Sequence, residues 1–339
     1  MTKRRRHLKP AKDVTRRLRR RRRPRSVPPA AVPPILMTLG NLIAGFAAIY
    51  YATKPIGETA FAGWSTLTLA GALVFLGMFF DAVDGSLARL TRGTSDLGAQ
   101  LDSLADMVAF GVAPAFIMLR LVSHYVGPTG TATILGPEAD NAYAKVIWGI
   151  AAVYVACAAL RLARFNAETS SASIEDHSVF RGLPSPGAAG AVASLTVLHQ
   201  HLLATRFTNV EPPAFEKWTA LGVPFVTLLA AFAMVSSVPY VHVINRYVRG
   251  RRDFAAIVRI VVPIALAIWW LQVTMAVAFT AYALSGPVRL MLSRGRQRHA
   301  TALAIAAASE VVEATANAGG KSKNGDGSDG GGGERDRRG

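Results

Sequence analysis

The strongest constraint on this chain is a series of apolar blocks, each near the length that crosses a bilayer, separated by short polar connections. The blocks run over 35–52, 66–90, 97–121, 144–165, 183–204, 217–237 and 255–292. About 20 helical residues span the hydrocarbon core. Backbone groups in lipid must be satisfied within the segment, which selects helices. Six blocks fit one span each, and the last is long enough for two, broken around Trp269 to Gln272. The expected fold is therefore all-α and polytopic, with about eight transmembrane helices. Composition agrees, since only 17% of the 339 residues are charged against roughly a quarter in a soluble domain.

Loop charge orients the spans. With the basic N-terminal arm cytoplasmic, the loops on that side carry Arg92, then Arg161, Arg164 and Arg181, then Arg246, Arg249, Arg251 and Arg252. The opposite loops carry Lys54, no Lys or Arg from Val122 to Ala144, and Arg206. This is the positive-inside pattern. The basic stretch Arg289 through Arg298 returns the chain to the same side, so both termini are expected to be cytoplasmic, and an even span count follows. The expected setting is the cell membrane, with a multi-pass topology.

Three regions follow. Residues 1–34 form a basic arm punctuated by Pro24, Pro28, Pro29, Pro33 and Pro34, residues 35–292 form the membrane domain, and residues 293–339 form a tail. The arm is expected to be disordered, and the tail to hold an Ala-rich helix over Ala300–Ala318 before a disordered Gly-rich end. No aromatic residues interleave Arg4–Arg6 or Arg19–Arg23. That favours an anionic lipid surface or a topology signal over nucleic acid. The arm is too long for a secretory n-region, and no small-residue cleavage site follows the first block, so no secretory signal is expected. The single cysteine, Cys157, can form no internal disulfide and reads as a small packing residue.

The chemistry lies where the second block ends and the third begins. Residues three, four, seven and eight apart share a helix face. Asp81, Asp84, Gly85, Ala88 and Arg89 thus form one stripe, and Gly98, Asp102 and Asp106 another. The connection Thr91 to Ser95 is short, so the two helices should be antiparallel neighbours. Thr94 or Ser95 is placed to cap the second of them, with Asp96 in its first turn. Ionisable groups in membrane helices are costly and mark function. Four carboxylates on two facing stripes repel unless cations lie between them, and Arg89 offsets only one charge. Oxygen ligands suit hard divalent ions such as Mg²⁺, which also bind substrate phosphates. Two such ions can bridge a diphosphate.

These residues resemble the CDP-alcohol phosphatidyltransferase signature at every defined position: Asp81, Asp84, Gly85, Ala88, Arg89, Gly98, Asp102 and Asp106. The resemblance implies an all-helical membrane transferase that uses two divalent ions, Mg²⁺ or Mn²⁺, and works at the cytoplasmic face. It implies metal binding by Asp81, Asp84, Asp102 and Asp106, with Asp106 also the catalytic base. Gly85, Arg89 and Ser95 are implied contacts of CDP-diacylglycerol, and Asn41 in the first block is a further candidate for that role. The stretches Thr38–Phe46, Arg161–Asn166 and Phe180–Pro186, with Leu284–Pro287, are similar to the phosphatidylserine synthase branch. They imply L-serine as acceptor, with Arg161, Arg164 and Asn166 as acceptor-binding candidates, because a planar guanidinium suits a carboxylate. A homodimer is expected from the resemblance alone.

Other readings remain at this point. A transferase of the same family with another acceptor, such as glycerol 3-phosphate or inositol phosphate, would share every aspartate. A cation transporter also places carboxylates in spans, though near the midplane on broken helices. His199 and His201, two apart on a helix, point in different directions and are expected to be membrane-interface residues. Trp269 and Trp270 read as packing or belt residues.

Overall fold

The computed structural model describes residues 29–56, 59–61, 63–91, 96–126, 136–138, 141–171, 182–206, 213–238, 240, 262, 265 and 269–289. The disorder expected of residues 1–28 and of the tail, the Ala300–Ala318 helix, and the charged residues of the 92–95 and 241–252 connections lie outside these residues, whereas residues 29–34, expected to belong to the disordered arm, form a 3₁₀ turn and the start of a helix. So does most of the first half of the last apolar block, and with it the expected seventh span.

Helix α1 (Val32–Thr53) follows a single 3₁₀ turn, Pro29–Ala31. Pro33 and Pro34 stand in its first turn, where a missing N–H costs no hydrogen bond. Its two faces differ sharply. Leu36, Ile43, Phe46 and Tyr50 are exposed, whereas Thr38, Asn41, Gly45, Ala48 and Ala52 are buried. Bulk thus faces outward, and small or polar groups face protein, as expected where helices pack in a membrane.

A short antiparallel hairpin, Thr59–Phe61 with Trp64–Ser65, leads into α2 (Thr66–Thr91). Helix α3 (Asp96–Asp106) continues through a π-helical turn, Met107–Val112, into α4 (Ala113–Tyr125). The turn has an identifiable cause. Pro114 has no N–H to offer the Phe110 carbonyl, and the buried Tyr154 hydroxyl donates to that carbonyl instead at 3.1 Å. Tyr154 belongs to α5 (Ala142–Ser171), whose start is capped by Asn141: its side-chain oxygen accepts from the Ala144 N–H at 2.6 Å. Helices α6 (Ser185–Arg206), α7 (Pro213–Val235) and α8 (Leu271–Arg289) complete the described set.

Among the described residues, six stretches are long and apolar enough to cross a bilayer: 32–53, 66–90, 97–125, 142–168, 216–235 and 271–289. The chain is therefore largely helical and has the character of a multi-pass membrane protein. Helix α6, over the fifth apolar block, does not reach the same hydropathy although it has 22 residues. Its surroundings explain this. Ala188, Ala189, Ala191, Val192 and Ala193 are all fully buried, so this helix meets protein on most sides and need not be greasy to suit lipid.

His199 departs from expectation. It is 3% exposed, with Nδ1 2.9 Å from Thr219 Oγ1 and its ring edge-on to Tyr125. It is an interior residue joining α6 to α7, while His201, pointing elsewhere, is half-buried. Trp269 and Trp270 are exposed, in keeping with a belt role.

The fold divides into two units, 1–284 and 285–339. The described part of the second is helical, over 285–289.

Close approach of α1 to the π-turn depends on glycine. A Cβ at Gly45 would lie 2.6 Å from the Ala109 Cα, a distance at which backbone must move. Gly45→Leu is expected to cost at least the 1–3 kcal/mol or so typical of overpacking. A thermal melt of the detergent-solubilised protein should show it as a lowered midpoint.

Candidate active site

The four aspartates approach one another from two helices that meet through side chains while their backbones stay apart. Helix α1 packs along α2 and also against α3 and the π-turn, whereas direct backbone approach between α2 and α3 is sparse. The expected antiparallel pair is therefore wedged apart at this end, with α1 bridging it. The wedge forms a cavity of about 200 Å³ lined by Ala31, Pro34, Thr38, Asp84, Gly98 and Asp102, with Gly85 and Ala88 also on its wall. Gly85 faces open space, with nothing within 4 Å of where a Cβ would stand. The small residues of the motif thus leave room for a ligand beside the carboxylates.

Asp81, Asp102 and Asp106 each offer a carboxylate oxygen within 4.8 Å of the others, the one such acidic cluster among the described residues. Three hard anionic donors at that spacing fit a divalent cation. Asp84 takes a different position. It is 5% exposed and accepts a hydrogen bond from the Thr38 hydroxyl at 2.8 Å, while sharing the cavity wall with Asp102. Asp106 accepts at Oδ1 from the Asn41 amide at 3.1 Å. Thr38 and Asn41, three apart on α1, therefore reach one carboxylate on each motif helix.

The basic candidates separate. Arg161 lies close enough to Asp106 and Asp81 to interact electrostatically with both. It donates through Nη1 to the buried Ser185 hydroxyl at 2.8 Å, and its Nε is buried without a hydrogen-bond partner. Arg164 instead pairs with Glu168, one turn along the same helix, at 2.8 Å on the exposed face. Asn166 exchanges hydrogen bonds with Ser103 at 2.9 and 3.3 Å, tying α5 to α3 beside Asp102. Arg89 is exposed, its guanidinium donating to Ser86 Oγ at 3.4 Å. Ser95 lies outside the described residues.

Sequence reasoning passed over Thr38, Ser185 and Tyr282 as individual site residues. The first two sit inside stretches it had singled out. Tyr282, on α8, interacts electrostatically with Arg161 and packs its ring where a Gly187 Cβ would come within 2.9 Å. Its only sequence signal is a hydroxyl in an apolar block.

Comparison with known proteins accords with this geometry. Residues 31–228, more than half of the chain, match the model of the CDP-alcohol phosphatidyltransferase family. The chain is similar to the CDP-diacylglycerol–serine O-phosphatidyltransferase of Helicobacter pylori, 34% identical over 165 residues, which cover 49% of this chain and 57% of that protein. It is 32% identical over 168 residues to the Mycobacterium tuberculosis protein of the same name, covering 49% of this chain and 48% of the relative. With the Bacillus subtilis protein of that name it shares 29% identity over 170 residues, covering 50% of this chain and 78% of the relative. The chain thus spans only about half the length of the first two relatives. The signature aspartates, glycines and arginine all fall inside the matched segment, and this chain belongs to the CDP-alcohol phosphatidyltransferase family.

Proposed function

We propose that the chain transfers the phosphatidyl group of CDP-diacylglycerol to L-serine, giving phosphatidylserine and CMP. The observation that carries this reading is the convergence of Asp81, Asp102 and Asp106 beside a cavity walled by Gly85, Ala88 and Gly98. The names of the similar proteins support serine as the acceptor.

Two divalent cations, Mg²⁺ or Mn²⁺, held by Asp81, Asp102 and Asp106 with Asp84 alongside, would neutralise the donor diphosphate. The protein groups do the rest. Gly85 leaves space for the CDP moiety, and Arg89, one turn beyond Gly85 on α2, meets its phosphates. Asp106 accepts the proton of the serine hydroxyl. The freed oxygen forms a bond to the lipid-side phosphorus, the bond from that phosphorus to the bridging oxygen breaks, and CMP departs with the electron pair. Arg161, with its Nη1 on Ser185 and its Nε unspent, binds the serine carboxylate. Arg164 and Asn166 serve α5 rather than the acceptor.

The loop charges support a cytoplasmic site. Thr38 near the start of α1, the end of α2, the start of α3, Arg161 and Ser185 belong to segments that border the Arg-bearing loops in the sequence. Eight spans, cytoplasmic termini and a homodimer complete the proposed arrangement.

CMP release from CDP-diacylglycerol by the purified protein, with Mn²⁺ or Mg²⁺ and a panel of acceptors, tests the assignment. Release with L-serine alone is the expected outcome. Release only with glycerol 3-phosphate or inositol phosphate would move the chain to another branch. Ion flux into proteoliposomes without CMP release would overturn the transferase reading.

The arginines give a sharper check. Arg161→Ala should raise the KM for L-serine about 10- to 100-fold, the range expected when a charge-assisted hydrogen bond to a carboxylate is lost, with the KM for CDP-diacylglycerol little changed. Arg164→Ala should leave both near wild type, because an exposed i,i+4 ion pair contributes little.

A further inference from the structure

We infer that Asn41, seated against Gly77, is a positioning residue that fixes the rotation of the Asp106 carboxylate. The inference rests on the reading of Asp106 as metal ligand and base. Asn41 is fully buried on α1, and its Nδ2 donates to Asp106 Oδ1 at 3.1 Å. Its own Oδ1 is buried with no hydrogen-bond partner. A buried amide with half its capacity unspent is costly, and a leucine would pack the same interface without that cost. What the amide supplies that a leucine lacks is an N–H aimed at one oxygen of Asp106. With Oδ1 held there, the carboxylate is not free to turn, and one oxygen stays available for the cation or the acceptor proton.

Gly77 completes the device from α2. A Cβ at that position would lie 2.8 Å from Asn41 Oδ1 and 3.6 Å from the Ala109 Cβ. The amide oxygen occupies the space that a side chain at 77 would need, so only glycine there leaves room for the amide in this position. An alanine there would push the amide away from Asp106. Gly77, Asn41 and Asp106 thus form a line from α2 through α1 to the end of α3, in the manner of outer groups that orient metal ligands.

The test uses the full-length protein in detergent, with Mn²⁺ binding followed by electron paramagnetic resonance and steady-state CMP release measured alongside. Asn41→Ala and Gly77→Ala should each weaken Mn²⁺ binding and lower kcat by about 10- to 100-fold, with the KM for L-serine within about twofold of wild type. The double variant should lose no more than Asn41→Ala alone, because Gly77 acts only through the amide. A purely packing role predicts the reverse, since alanine at 77 would refill the space left by Asn41→Ala and restore function. That restoration would overturn the inference. So would unchanged Mn²⁺ affinity and kcat in Asn41→Ala, or a loss confined to the KM for CDP-diacylglycerol, which would make Asn41 a direct donor contact. Should Asn41→Ala fail to fold, Gly77→Ala alone decides, with wild-type Mn²⁺ affinity and kcat counting against the inference. A wild-type protein that releases CMP yet binds no Mn²⁺ would remove the metal reading itself, a failure separable from that of Asn41.

Discussion

Asp106→Asn is expected to abolish transfer while leaving the protein folded. Loss of a general base alone lowers rates by typically 10²–10⁴-fold, and here the same change removes one of three clustered carboxylates. The substitution is informative because so little else changes. An asparagine side chain has the same shape, and its carbonyl oxygen still accepts from the Asn41 amide that now contacts Asp106 Oδ1 at 3.1 Å. What disappears is the negative charge and the ability to take a proton. CMP release on addition of L-serine should fall to the background rate, while the elution profile and thermal midpoint of the solubilised protein stay close to wild type or above it. Turnover at the wild-type rate would show that the acceptor proton goes elsewhere.

Helical periodicity was enough to place the aspartates on two stripes, and the short connection between the blocks was enough to bring the stripes to one end of the bundle. Periodicity does not report how far apart two helix backbones stand, and α2 and α3 meet through their carboxylates rather than by close backbone packing. The element that closes the gap is α1, and its contribution is a matter of tertiary packing. Thr38 and Asn41 announce a polar face in an apolar block, but nothing in the sequence says that one reaches Asp84 and the other Asp106. Arg161 and Arg164 illustrate the same limit. They are three apart at one helix end and indistinguishable by composition. Arg164 has Glu168 one turn away, a pairing that spacing alone suggests, while Arg161 finds Ser185 across the bundle at 2.8 Å. The block 183–204 reads as a span in the sequence, yet α6 is less apolar than the other long helices, because a helix surrounded by protein needs no lipid-compatible surface. His199 belongs to the same category, being polar yet interior because Thr219 receives it.

Activity and stability should move in opposite directions at the acidic cluster. Asp81, Asp102 and Asp106 bring ligand oxygens within 4.8 Å of one another, in surroundings where like charges are poorly screened. Arg161 is the cation near them that offsets part of this charge. Without bound metal the cluster works against the fold, so Asp81→Asn, which removes one charge and keeps the shape, should raise the thermal midpoint of the metal-stripped protein. A gain of about 1 kcal/mol corresponds to roughly 2–4 °C in a domain of moderate size. Adding Mn²⁺ should reverse the order. The wild-type protein gains stability by binding the ion in its folded state, whereas Asp81→Asn gains less, and its CMP release stays at least about 100-fold below wild type. EDTA should abolish CMP release by the wild-type protein, and restored Mn²⁺ or Mg²⁺ should recover it. If Asp81→Asn instead melts lower than wild type in EDTA, the carboxylates do not repel in the empty site. The trio would then be held by hydrogen bonds among its own oxygens, and its claim to be a cation site would be lost.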